Sequence, residues 1–167
     1  HKLWQQGAPG SYHMEYGFSC MGYEIAGGLG VKLAKPDEEV IVMVGDGSYM
    51  MMNSEIATSI MMGAKLNIVV LDNRGYGCIN RLQMATGGAN FNNLLMDTWH
   101  KELPDLDFAA HAQSMGAIAI KVKAVADVSS VKRVLHGSAP CAPDLKRAVI
   151  DFFPPDAVWE TYGGTET

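Results

Sequence analysis

Residues 40–44, VIVMV, run directly into Gly45-Asp46-Gly47-Ser48, and residues 67–71, NIVVL, run in the same way into Asp72-Asn73-Arg74-Gly75-Tyr76-Gly77. Each apolar run is short, rich in β-branched residues and bounded by turn residues, the pattern of a strand buried on both faces of a parallel sheet. Between them NSEIATSIMM, Asn53 to Met62, reads as a helix with Asn53 or Ser54 near its N-cap, Glu55 in its first turn and Gly63 as its stop. A strand–helix–strand unit with a right-handed crossover brings both strand ends to one edge of the sheet. Open α/β sheets bind ligands at that edge.

Outward from this unit the alternation continues. Upstream, MGYEIAGGLGVKLA (Met21 to Ala34) has small and apolar residues at helical spacing, ended by Pro36 and Asp37. Gly27, Gly28 and Gly30 weaken that helix but permit close approach of a neighbour. The first 19 residues read as a loop. Downstream, residues 78–106 read as a long functional loop with short helical pieces. Phe108 to Met115 then reads as a helix, Ala117 to Val122 as a strand, Ala126 to Leu135 as a helix, and Ala148 to Phe152 as a last strand. This is an α/β chain with a mostly parallel sheet.

The composition sets limits on function. With 48% hydrophobic and 19% charged residues, the 167-residue chain carries enough apolar surface for a core. A net charge of −5 without a basic run argues against nucleic acid as the main partner. No apolar stretch is long enough for a membrane span. Three widely spaced cysteines (Cys20, Cys78, Cys141) make no disulfide framework and point to the cytoplasm. A start at His1 reads as a piece of something longer or a processed chain. His13, His100, His111 and His136 have no metal-ligand spacing. GGLG, inside a helix and before the strand, is no dinucleotide fingerprint.

The two turns carry the chemistry. Asp46 offers a carboxylate and Asn73 an amide oxygen, hard ligands suited to Mg²⁺ or Ca²⁺. Gly45 and Gly47 allow a tight turn whose N–H groups face an anion, helped by the start of the next helix. Mg²⁺ shares its octahedron with phosphate oxygens and water. The residues therefore read as a diphosphate held through Mg²⁺ at a sheet edge. Either turn alone is an ordinary strand ending; the pair, with residues 48–72 between Gly47 and Asn73, is far more specific.

Gly-Asp-Gly followed by 25 to 30 residues and an Asn resembles the thiamine diphosphate motif of decarboxylases and acetolactate-synthase-like enzymes. The stretch from Glu15 to Ile60 resembles the pyrophosphate-binding domain of that family, and the likeness covers roughly residues 1–125. Tyr12-His13-Met14-Glu15-Tyr16-Gly17, Ser19-Cys20-Met21-Gly22-Tyr23-Glu24 and Gly77-Cys78-Ile79-Asn80 resemble more narrowly its branch that opens a cyclic 1,2-dione in inositol catabolism. The resemblance implies a three-layer α/β sandwich, helices on both faces of a mostly parallel sheet, over residues 1–153, with 154–167 as a tail.

It also implies thiamine diphosphate and Mg²⁺ as cofactors. Asp46, Asn73 and the Gly75 carbonyl would hold the metal. Gly45, Gly47 and Ser48 would hold the diphosphate, the Ser48 hydroxyl adding to the backbone N–H groups. Met21 would lie beneath the bent cofactor, with the backbone of Ser19, Cys20 and Met21 along its aminopyrimidine. Tyr76 and Gly77 would line the diphosphate. The family's activating Glu lies in a separate, N-terminal pyrimidine-binding domain, usually from the partner subunit. Glu15, Glu24 and Glu55 fall within the matched segment and do not take that role, so no catalytic residue is expected in this chain. The expectation is a homodimer or larger homo-oligomer, acting on a small carbonyl substrate and inactive as an isolated chain. The alternatives are a 2-oxoacid lyase or decarboxylase of the same family and a non-catalytic cofactor-binding or oligomerisation module.

Overall fold

The structure is a computed structural model that describes residues 8–14 and 18–123. In order, the chain forms α1 (Tyr23–Ala34), β1 (Ile41–Gly45), α2 (Asp46–Met51), α3 (Glu55–Met61), β2 (Asn67–Leu71), α4 (Gly77–Ala85), a 3₁₀ turn (Leu95–Asp97) and α5 (Phe108–Ser114). The helix expected over Ala126 to Leu135, the strand over Ala148 to Phe152, Glu15, Cys141, His136 and the tail lie outside the described residues.

The two apolar runs pair in parallel, from Ile41 opposite Asn67 to Gly45 opposite Leu71. This register matters most for the site, because both strands end level. Every residue of β1 is buried. Val40, Val42 and Val44 pack with Ile25, Tyr49 and Ile56, while Ile41 and Met43 pack with Val69 on the opposite face. That two-sided burial is what an uninterrupted β-branched strand predicts. β2 is half-buried throughout rather than buried. Among the described residues β1 is its only strand neighbour.

Helix α1 lies against β1 at Gly28, where a Cβ would come within 2.2 Å of Val42 Cγ2. It begins at Tyr23 rather than Met21 because Gly22 sits at φ 88°, outside the helical region. Helix α3 begins at Glu55; the Asn53 side chain instead donates to the Tyr49 carbonyl, closing the end of α2. Gly63, at φ 63°, stops α3 as expected, with Ala64 N–H donating to the Ser59 carbonyl.

Three expectations need correction. Gly45-Asp46-Gly47-Ser48 is not a loop: Asp46 opens α2 directly after β1, where its negative charge favours the first turn. The segment after the second turn holds a regular nine-residue helix, α4, and is less irregular than expected. Ala117 to Val122 makes no strand. Gly116 ends α5 at φ 95°, Ala117 N–H bonds to the Ala112 carbonyl, and the Gln113 amide bonds to the Ala119 carbonyl. Those bonds tie the segment to the end of α5 and leave Ile118 fully exposed.

Candidate functional site

The level strand ends bring the two turns into contact. Asp46 is buried, and its carboxylate accepts the N–H of Asn73 at 3.2 Å and of Gly75 at 2.8 Å. The second turn wraps around this carboxylate. Arg74 at φ 62° and Gly75 at φ 141° reverse the backbone, and Asp72 accepts the Arg74 N–H. A side chain at Gly75 would lie 2.5 Å from the Asn93 carbonyl oxygen, so only glycine fits. Residues 93–95 brace the turn from outside: Tyr76 N–H donates to the Asn93 carbonyl and Leu95 N–H to the Arg74 carbonyl. Nothing in the sequence pattern pointed to Asn93 or Leu94 as site elements, because a backbone brace leaves no side-chain signature.

The end of the Asn73 side chain lies 3.0 Å from Asp46 Oδ1 and 2.8 Å from the Gly75 carbonyl oxygen. With its nitrogen on that side it donates to both. With its oxygen there, three oxygens converge, which costs energy unless a cation lies among them. Mg²⁺ bound at about 2.0–2.1 Å sets neighbouring octahedral oxygens about 2.9 Å apart, close to the two distances from the Asn73 side-chain end. The donor set is all oxygen and includes one carboxylate, so the residues fit Mg²⁺. Burial pushes the Asp46 carboxyl above its ordinary range, with a smaller upward push from Asp72, against the N–H bonds from Asn73 and Gly75 that lower it. A cation would relieve that burial cost. Gly77 makes room for the Asn73 amide, and Gly47 for the Tyr76 ring, which lies against it.

On the other side of α2, Ser19 to Gly22 form a strap. Ser19 sits at φ 50°, and its hydroxyl oxygen is buried with no hydrogen-bond partner among the described residues. Cys20 is exposed and Met21 half-buried. Gly22 is wedged against Met51 and Met52, and its N–H donates to Ser48 Oγ at 2.6 Å. The Ser48 hydroxyl, expected to face a diphosphate, points inward instead and donates to the Glu24 carboxylate at 2.8 Å. The structure thus brings Gly45, Asp46, Gly47, Asn73, Gly75, Tyr76 and Gly77 together at one edge, and ties the strap to that edge through Ser48. Glu24 was missed as a site element. Its signal was its spacing, one helical turn before Gly28 on the buried face of α1.

The family model for the thiamine pyrophosphate enzyme, C-terminal TPP binding domain, matches residues 1–142. The chain belongs to this family. It is 43% identical over 129 residues to a 3D-(3,5/4)-trihydroxycyclohexane-1,2-dione hydrolase of Halalkalibacterium halodurans, covering 77% of this chain and 20% of that protein. A second such hydrolase, from Bacillus cereus, is 45% identical over 130 residues, again with 74% and 20% covered. The chain therefore spans about a fifth of the length of these relatives. Among solved structures, benzoylformate decarboxylase from Polynucleobacter necessarius superimposes with a TM-score of 0.53 at 19% identity, over 86% of this chain and 23% of that one. That likeness supports the α/β thiamine diphosphate-binding fold.

Proposed function

We propose that this chain is the cofactor-holding domain of an enzyme that hydrolyses a C–C bond in a cyclic 1,2-dione of inositol catabolism. The carrying observation is the approach of the Asn73 side-chain end to both Asp46 Oδ1 and the Gly75 carbonyl oxygen, at 3.0 and 2.8 Å. The 43% and 45% identities to dione hydrolases support the substrate class. The reading as a 2-oxoacid lyase with the same cofactor site is coarser and has less support.

Asp46, Asn73 and the Gly75 carbonyl would hold Mg²⁺, which would neutralise the charge of the diphosphate beside it. The N–H groups of Gly47 and Ser48 bind the diphosphate, with Gly45 giving the turn and Tyr76 and Gly77 lining it. Met21 would lie beneath the cofactor, with the backbone of Ser19 to Met21 along its aminopyrimidine. When bound, thiamine diphosphate supplies a nucleophilic carbon and an electron sink for C–C cleavage; the protein supplies geometry and electrostatics. None of the described residues is assigned the acid that activates the pyrimidine. The working enzyme is a cytoplasmic homodimer or larger homo-oligomer. The exposed Met50, Met51, Met52, Met61 and Met62 support a covered apolar face. Among the described residues no helix is long and apolar enough to cross a membrane.

The test is calorimetric titration with thiamine diphosphate and Mg²⁺. Saturable, Mg²⁺-dependent binding that Asp46→Ala abolishes supports the reading. Binding that ignores Mg²⁺ or survives Asp46→Ala refutes the ligand set.

A further inference from the structure

Glu24 has no place in the cofactor chemistry above, yet it is among the most buried side chains, at 1% exposure. Burial raises its carboxyl above the ordinary range, against the hydrogen bonds from Ser48 and from nearby backbone N–H groups. No ion pair among the described residues involves it. A buried, unpaired carboxylate is a costly way to fill space that an apolar side chain would fill better. What it does geometrically is specific. The Gly22 N–H donates to Ser48 Oγ at 2.6 Å, and Ser48 Oγ donates to Glu24 at 2.8 Å. Gly22 follows Met21, at the pyrimidine end of the site; Ser48 follows Gly47, at the diphosphate end.

We propose that Glu24 is a positioning residue which, through Ser48, locks the Ser19–Gly22 strap to α2 and so sets the distance between the pyrimidine and diphosphate ends of the cofactor site. This rests on the thiamine diphosphate reading. The two ends differ in what else holds them. Asp46 is fixed by β1 and by the N–H groups of Asn73 and Gly75, and Tyr49 anchors α2 to α5 through a 2.9 Å bond to His111 Nδ1. The strap has positive φ at both Ser19 and Gly22. Loss of Glu24 therefore removes the acceptor that orients the Ser48 hydroxyl toward the Gly22 N–H, and leaves the Asp46 bonds at the diphosphate end in place.

The experiment compares two ligands on the full natural chain by calorimetry: thiamine diphosphate with Mg²⁺, and inorganic pyrophosphate with Mg²⁺. Glu24→Ala should weaken thiamine diphosphate by about tenfold, the loss expected for one charge-assisted hydrogen bond, and change pyrophosphate by less than about twofold. Glu24→Gln, which keeps the shape and one acceptor oxygen, should fall between wild type and Glu24→Ala, and serves if the alanine variant does not fold. Ser48→Ala should reproduce the split, with little further loss when combined with Glu24→Ala. Equal losses for both ligands, or none, overturn the proposal. A wild-type chain that binds pyrophosphate but no thiamine diphosphate overturns the cofactor reading itself, and this inference with it.

Discussion

Gly28→Ala and Gly30→Ala place the same methyl group on the same helix, two residues apart, and should move stability in opposite directions. At Gly30 the added Cβ meets nothing within 4 Å. There the substitution only restricts the unfolded chain and improves helix propensity, a gain of about 0.5–1 kcal/mol. At Gly28 it meets Val42 Cγ2 at 2.2 Å. Carbon atoms pack at about 3.5–4.0 Å, so helix and strand must separate by roughly 1.3 Å or more. Val42 is fully buried at the centre of β1, and a β-branched side chain has few rotamers with which to yield. Overpacking of this kind costs about 1–3 kcal/mol. The propensity gain is common to both variants, so their difference isolates the packing cost. The assay is equilibrium urea unfolding, read as a midpoint shift at unchanged slope. A difference below about 0.5 kcal/mol would refute the claim that α1 sits on β1 through Gly28. The same shift should lift Glu24, one turn earlier, away from Ser48. Gly28→Ala should therefore weaken thiamine diphosphate binding, and Gly30→Ala should not.

Other consequences are as direct. Asp46→Asn removes the single charge from the proposed metal ligands and should lower Mg²⁺-dependent cofactor binding by at least about 100-fold, since even outer partners of metal ligands are worth 10–100-fold; unchanged affinity in titration would contradict the assignment. Gly75→Ala forces a side chain onto φ 141° and against the Asn93 carbonyl, and should abolish the rise in melting temperature on adding Mg²⁺ and thiamine diphosphate. Glu24 binds its proton more tightly in the folded chain than its ordinary value of 4.5 implies, so wild-type stability falls relative to Glu24→Gln as pH rises from 4.5 through the raised value. Paired urea titrations at about pH 4.5 and 7.5 read the sign, and a gap that widens in favour of wild type would be the wrong one. Light scattering should find an oligomer, with the exposed methionines of α2 and α3 at the contact; a monomer at all concentrations would remove that expectation.

Much of the site was legible because it sits where strands end. VIVMV and NIVVL are so apolar and β-branched that they have one reading, and the turns that follow carry the ligand chemistry in their side chains. The misreadings have a common cause. The helical start at Asp46 was hidden because Gly45 and Gly47 look like loop residues, whereas Gly47 is small to admit the Tyr76 ring, which is distant in sequence. IAI at residues 118–120 has strand propensity, but its backbone is held to the end of α5, and propensity yields to tertiary context. Ser48 was assigned by its neighbours in sequence, and its hydroxyl turned the other way because Glu24 lies there.

The sequence by itself determined the α/β class, the parallel pair and the identity of the groups at its edge: local apolar periodicity decides strands, and side-chain chemistry is written residue by residue. The tertiary structure decided the register that levels Gly45 with Leu71, the convergence of Asp46, Asn73 and the Gly75 carbonyl, the brace at Asn93, and the inward bond from Ser48 to Glu24. These contacts join segments 17 to 29 positions apart. No local pattern encodes them, because they exist only once the core has fixed where each backbone segment lies.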